Sequence, residues 1–287
     1  VDGTAVVEAG VSEFGTGVLT AMTQVAADGL GLPVDRMRFV GGTTDLPNIA
    51  AAVGSAGAGA VGGAVHLAAT ALRDQLVRQA VGDAQSPLHG ADPGSVVVAD
   101  GRMSRSDRPE VGETYVDLLR RNHLPDLEAM SNFVPPSPMG SDHAMHTFGA
   151  QFAEVAVDAD LGRVRVRRMV GVFAPGRVLN RRTAHSQLLG GMLWGLGQAL
   201  LEASQMDEHT GRWANANLAD YLIPVNADVP DVVIDTIEVA DRVVNPLGVK
   251  GVGEIGIVGA SAAIANAVHH ATGRRIRKLP ITVEDLL

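Results

Sequence analysis

Phe148-Gly-Ala-Gln-Phe-Ala-Glu-Val-Ala-Val-Asp158, the turn Asp160-Leu-Gly162 and Arg163-Val-Arg-Val-Arg-Arg-Met-Val-Gly-Val172 read as one long β-hairpin. Both arms alternate in character, are rich in β-branched residues and are parted by turn formers. Two adjacent strands with no helix between them break any regular β–α alternation. Downstream, a helix from about Arg182 to Glu202 carries Leu189, Met192, Leu193, Leu196 and Leu200 on one face, followed by a strand Val232–Val239 and a helix Ala260–Thr272. Upstream, strand Thr4–Glu8, helix Val18–Leu30 and strand Arg36–Val40 precede a long helix from about Ala58 to Ala80. Val61, Val65, Ala68, Leu72 and Leu76 keep helical spacing along it. A second hairpin, Ser95–Ala99 and Arg102–Arg105, turns at Asp100-Gly101, and a short helix is expected over Gly112–Arg121. Four prolines mark Asn122 to Ser141 as a connector. Strands and helices therefore segregate. The expected class is α+β, with mixed sheets and packed helices, in two subdomains at residues 1–130 and 131–287.

Composition narrows the function classes. At 46% hydrophobic and 19% charged residues the chain is an ordinary globular one. Its net charge of −9 and lack of a basic patch argue against nucleic acid as a partner. The longest apolar helix-like run, Leu188 to Leu201, is 14 residues, too short to span a bilayer. With no cysteine, the chain itself can supply neither disulfides, nor Cys-ligated zinc, nor iron–sulfur ligands. The 34 glycines suit close backbone packing around something bulky. Val1-Asp2-Gly3 reads as a strand already under way, so a fragment of a longer protein is expected.

Chemistry concentrates in Gly248-Val-Lys-Gly-Val-Gly-Glu-Ile-Gly-Ile-Val-Gly259, where one carboxylate, Glu254, is embedded in glycine. A carboxylate held among small, mostly apolar residues is expected to be poorly solvated, with a raised pKa suited to a general base. The plain alternative is a turn whose Glu faces water. Two Gly-x-Gly-x-x-Gly matches are rejected as dinucleotide fingerprints: for Gly57/Gly59/Gly62 the spaced acid Asp83 follows directly on the long helix with no strand between, and Gly251/Gly253/Gly256 has neither a preceding strand nor an acid before Glu284. Gly15-Thr16-Gly17-x-x-Thr20, between a strand and a helix, is a better candidate for an anion nest. Gly54-Ser55 is a second, and Ser186-Gln187 with Gly190-Gly191 a third, the Gln able to make paired amide contacts. Each alone is more often a cap than a ligand site. Together with the Glu loop they suggest one large anionic cofactor.

Elsewhere the readings are plainer. His143 with His146 and His269 with His270 read as exposed or capping residues, and Trp194 and Trp213 as core or interface anchors. Arg274-Arg275-x-Arg277-Lys278 is expected to satisfy helix C-terminal carbonyls or a domain contact, and Pro135, Pro136 and Pro138 an extended linker.

These residues resemble the C-terminal half of the molybdenum-binding large subunit of the xanthine dehydrogenase/aldehyde oxidase family, nearest its bacterial aldehyde and isoquinoline oxidoreductase-like members. The resemblance runs over essentially the whole chain. It is carried by Glu13-Phe-Gly-Thr-Gly-x-x-Thr20, Gly54-Ser55, Ala153-Glu-Val-x-Val-Asp158, Gly176-Arg-Val-Leu-Asn180, Gln187-x-x-Gly-Gly191, Asn217-Leu-x-x-Tyr221 and Asn245-Pro-Leu-Gly-x-Lys-Gly-x-Gly-Glu254. It implies an oxidoreductase that hydroxylates aldehydes or N-heterocycles with oxygen derived from water. The implied cofactor is molybdopterin, in its cytosine dinucleotide form, with molybdenum held by the pterin dithiolene and by no protein ligand.

By the same resemblance Glu254 is the general base, and Gly15, Thr16, Gly17, Thr20, Gly54, Ser55, Gln187, Lys250, Gly251 and Gly253 contact the cofactor. Thr16 departs from the Gln of many relatives, and Gly42-Thr43-Thr44-Asp45 from their Gly-Asp-Thr. Iron–sulfur clusters and FAD are expected on other subunits or domains, in an assembly open to homodimerisation, without membrane or nucleic acid. A cytoplasmic location is expected, a periplasmic one being left open. The competing reading is a non-catalytic cofactor-binding or assembly module, inactive without an upstream domain.

Overall fold

The computed structural model describes residues 2–47, 52–136 and 142–287, so Pro138 and Ser141 of the expected connector lie outside the described residues. The chain divides into two compact units, Val1–Met145 with Ala240–Lys250, and His146–Val239 with Gly251–Leu287.

In the first unit β1 (Ala5–Glu8) leads into α1 (Val18–Leu30), which returns to β2 (Met37–Val40), paired parallel to β1. Apolar residues at helical spacing, Val18, Met22, Val25 and Leu30 among them, bury one stripe of α1. Gly31 ends the helix at φ 70°, its N–H closing on the Ala27 carbonyl. Helix α2 (Gly57–Gly82) packs on α1. It contains Gly59 and Gly62, which explains the first rejected glycine motif. A Cβ at Gly62 would lie 2.9 Å from Leu247 Cδ1, so these glycines seat the loop Asn245–Val249.

β3 (Val96–Ala99), β4 (Arg102–Arg105) and β5 (Gly112–Thr114) form an antiparallel sheet in that order. The helix expected from Gly112 thus begins as a strand, with Glu113 paired opposite Met103. Gly112 lies against the β4 backbone, where any side chain would collide with the Met103 carbonyl. Helix α3 (Tyr115–Arg121) starts only after Thr114, which forms a capping box with Asp117. Leu30, Leu76, Val77, Ala80, Leu88, Met103, Tyr115 and Leu118 fill the core beneath.

One polar cluster is buried beside that core. Glu113, 5% exposed, accepts from Ser86 Oγ at 2.5 Å and from both Arg121 Nη atoms at 2.6 and 2.9 Å. Arg121 Nε also donates to Asp83 at 2.7 Å. The Gln85 backbone N–H, the Asn122 amide and Arg121 together lower the Asp83 pKa to about 2.

In the second unit β6 (Phe148–Asp158) and β7 (Arg163–Ala174) are the expected hairpin, with a bulge between Glu154 and Val155. Helix α4 (Arg181–Leu200) is capped by Asn180, whose side chain accepts from the Thr183 N–H at 3.1 Å. A small hairpin, β8 (Met206–Asp207) and β9 (Arg212–Trp213), precedes β10 (Asp231–Thr236), which pairs parallel to β7. The sheet order β10-β7-β6 is therefore mixed. The single turn α5 (Ile255–Val258) leads into α6 (Ala260–Thr272), and α4 and α6 cover Met169 and Phe173 with Leu188, Met192, Leu196, Ile264 and Val268.

Two side-chain readings change. Of the two roles expected for Trp194 and Trp213, core or interface anchor, the core one falls, since they are 62% and 57% exposed. The basic cluster holds the tail rather than the α6 carbonyls: Arg274 donates to the Asp285 and Leu287 carbonyls, and Lys278 pairs with Asp285 at 2.9 Å.

Arg121→Met leaves Glu113 buried without its cation, a change that costs about 3 kcal/mol or more for buried pairs. Urea unfolding should show that loss at pH 7. The contribution of Asp83 is full above the ordinary carboxylate range and is lost as pH falls toward 2. The gap between parent and Asp83→Asn should accordingly close in acid.

Candidate functional site

In the second unit Glu254 and Gln187 lie on two elements that pack together. Helix α4 and turn α5 meet backbone to backbone. A Cβ on Gly191 would lie 2.8 Å from Gly256 Cα, and one on Gly256 would lie 2.7 Å from the Leu188 carbonyl oxygen. No side chain fits there. Gln187 directly precedes Leu188 on α4, and Glu254 is the N-cap residue of α5, its carbonyl accepting from the Ile257 N–H at 3.2 Å. Both flank the same contact.

The expected desolvation of Glu254 is not found: the residue is exposed. Its glycine neighbours carry no side chains that could cover it, so a glycine-rich setting leaves the residue in contact with water. The loop before it is anchored at Gly251, whose carbonyl accepts from Thr147 Oγ1 at 2.7 Å. After it, Gln151 Nε2 donates to the Ile255 and Gly256 carbonyls, each at 3.1 Å. Gly253 is exposed and Gly251 half-buried.

In the first unit, Gly15 (φ 102°) and Gly17 (φ 74°) shape the turn into α1 as expected. The nest is filled by the chain's own carboxylate. Glu13 accepts from the N–H groups of Gly15, Gly17 and Leu19 at 2.8, 3.0 and 3.2 Å, and from the Thr16 hydroxyl at 3.4 Å. Desolvation acts to raise the Glu13 pKa, but the Gly17, Leu19 and Gly15 amides outweigh it and the pKa is lowered. A negative charge at this helix start also suits the dipole. The amides of Gly15 and Gly17 are thus not open donors for a second anion.

Thr20 is exposed one turn on. Gly54 (φ 60°) and Ser55 (φ 57°) follow each other in the left-handed region, a costly conformation for Ser and one that clusters at functional positions. Lys250, in the same unit, has a side chain 13% exposed and lies 3.7 Å from Asp241. In the departing segment, Thr43 Oγ1 donates to Asp45 at 3.1 Å, a local turn bond. Among the described residues no group of three or more His, Asp or Glu could hold a metal ion.

The chemistry in each unit suits a phosphate-bearing heterocycle better than a bare metal. The first unit carries the hydroxyls of Thr16, Thr20 and Ser55 and the Lys250 cation, and the second carries the Gln187 amide. A Cβ added at Gly15 or Gly54 would meet nothing within 4 Å, so these backbones present open faces. Sequence reasoning quoted Glu13 within a motif but gave it no role, although an acid two residues before a Gly-x-Gly turn is the signal for a self-filled nest. Thr147 and Gln151 it missed entirely.

Comparison with known proteins gives these features a context. The profile of the molybdopterin cofactor-binding domain family matches residues 1–230. The chain is 36% identical, over its whole length, to the aldehyde oxidoreductase molybdenum-binding subunit PaoC of Escherichia coli K12, and spans 37% of that protein. It is 30% identical over 99% of its length to the xanthine dehydrogenase molybdenum-binding subunit of Escherichia coli O157:H7, spanning 37% of it. Among solved structures it superposes on the Cu,Mo-CO dehydrogenase with a TM-score of 0.85 and 25% identity, over 99% of this chain and 35% of that one. Quinoline 2-oxidoreductase of Pseudomonas putida 86 gives 0.83 and 28%, over 96% and 35%. The chain spans about a third of the length of these relatives.

Two outcomes follow from the packing. Gly191→Ala forces α4 and α5 apart and should cost about 1–3 kcal/mol in thermal or urea unfolding. Glu13→Ala should cost about 1 kcal/mol at pH 7, as loss of a helix cap does. Because the Glu13 pKa is lowered, that difference is full above the ordinary carboxylate range and should vanish as pH falls through the folded value.

Proposed function

The chain belongs to the molybdopterin cofactor-binding domain family, and on that premise we propose that it is the cofactor- and base-bearing part of a molybdenum hydroxylase. The reaction proposed is hydroxylation of an aldehyde or an N-heterocycle with oxygen derived from water. The observation that supports it most is the Gly191–Gly256 contact, which packs the turn that begins at Glu254 against the stretch of α4 that follows Gln187.

When bound, the cofactor supplies the metal centre at which oxygen and electrons are exchanged with the substrate. The chain's own residues do the rest. Gln187 orients the cofactor through its amide, Thr16, Thr20 and Ser55 hold it by hydroxyl contacts, and Gly54, Gly251 and Gly253 meet it through backbone; Gly15 and Gly17, their amides taken by Glu13, shape the turn that carries Thr16. Lys250 offsets negative charge. Glu254 takes the proton from the attacking oxygen at its carboxylate; its exposure in this chain lets it exchange that proton with water. No protein metal ligand is required, in keeping with a chain that has no cysteine.

Residues 1–130 form the first cofactor-binding part in this reading, and residues 131–287 the part carrying the base. The cofactor is the cytosine dinucleotide form. Iron–sulfur and FAD groups reside on partner subunits or other domains, the assembly pairs as a homodimer, and it works in the cytoplasm. The exposure of Glu254 supports a second reading, a cofactor-binding or assembly module without chemistry of its own.

In the full-length enzyme, Glu254→Gln separates the two. Turnover should fall by about three orders of magnitude or more, with molybdenum content per protein unchanged. Retained turnover in a fully loaded variant would leave only the module reading.

A further inference from the structure

Gln151 occupies a place that the fold does not explain. On β6 the aromatic residues Phe148 and Phe152 point outward, 65% and 63% exposed, while Gln151 between them faces inward. That inverts the usual sorting of strand residues, and such local violations concentrate at functional positions. Both partners of its amide are carbonyl oxygens, of Ile255 and Gly256, so Nε2 must face them and Oε1 must face away. Oε1 is left buried with no hydrogen-bond partner among the described residues. An unpaired buried acceptor costs about 1–3 kcal/mol, so an apolar side chain would serve the core better.

Thr147, immediately before β6 and four residues before Gln151, donates to the Gly251 carbonyl at 2.7 Å. One donor therefore grips the chain three residues before Glu254, and the other grips it one and two residues after. Gly251 and Gly253 make the backbone leading to Glu254 free to take many conformations, and a loop of that kind does not by itself fix the direction of a carboxylate. We propose that Thr147 and Gln151 are positioning residues for Glu254, a two-point clamp on the backbone to either side of it. The proposal rests on the reading of Glu254 as the base. It gives β6 a task beyond pairing with β7.

The test uses the full-length, cofactor-loaded enzyme. Variants Gln151→Met, Thr147→Val and Thr147→Ser are compared by molybdenum content, thermal unfolding, steady-state kinetics and amide hydrogen exchange of residues 252–257. Gln151→Met and Thr147→Val should lower kcat about 10- to 100-fold with KM little changed, and should speed exchange in that segment. Melting temperature and molybdenum content should hold. Thr147→Ser, which keeps the hydroxyl, should restore both kcat and slow exchange. In a Glu254→Gln background, Gln151→Met should lower kcat no further.

Unchanged exchange and kcat in both donor-less variants would overturn the clamp. So would a loss of folding or molybdenum in step with activity, or a further full loss of kcat on top of Glu254→Gln. Should Glu254→Gln itself keep its turnover, the base reading fails, while the exchange data still report on whether the backbone is clamped.

Discussion

The second unit depends on one approach of backbone to backbone, that of Gly191 on α4 to Gly256 on α5. Helices ordinarily pack through side chains at an interaxial distance of about 8–10 Å, and glycine at both surfaces removes that spacer. A four-residue turn has little hydrogen bonding of its own to keep it in place. Leaning on a 20-residue helix gives α5 the rigidity it lacks, with the base candidate at its N-cap. Ala260, packed directly on Gly195, continues the seam into α6.

Three glutamates show how far environment outweighs residue type. Glu113 is buried and works as the centre of a structural ion pair with Arg121 and the Ser86 hydroxyl. Glu13, near the surface, serves as a cap, spending its charge on three amides of its own chain. Glu254 sits exposed on a loop whose shape is fixed from outside by strand and helix. The proposed proton transfer falls to the last of these. The first two have their charge engaged in holding the fold.

The elements with strong periodicity were legible in the sequence. The limits of α1 and α6, the two long hairpin arms and the Asp100-Gly101 turn all follow from apolar spacing and turn chemistry. What escaped was short or set by tertiary contact. β5 borrows its conformation from pairing with β4, and α5 is a turn stabilised by another helix, so neither leaves a local signal. Among the proposed site residues, the left-handed turn at Gly17 was readable from motif, and Gln187 and Glu254 are proposed from motif alone. The exposure of Glu254 was not, because burial is decided by what the rest of the chain puts around a loop. Gln151 and Thr147 were invisible for a related reason: their partners are backbone carbonyls about a hundred residues away.

The path of the chain carries a last consequence. Residues Ala240–Lys250 belong to the first unit, although all of β6 through β10 of the second comes before them. Within that segment Leu247 seats against Gly62, and Asn245 closes its own loop through Val249. During synthesis, which proceeds from the N-terminus, α2 therefore waits with that glycine face uncovered while about 160 further residues are made. The first unit begins early on the ribosome and is finished late. The patch at Gly62 and Met22 that Leu247 covers is open in the nascent chain and shut in the finished one.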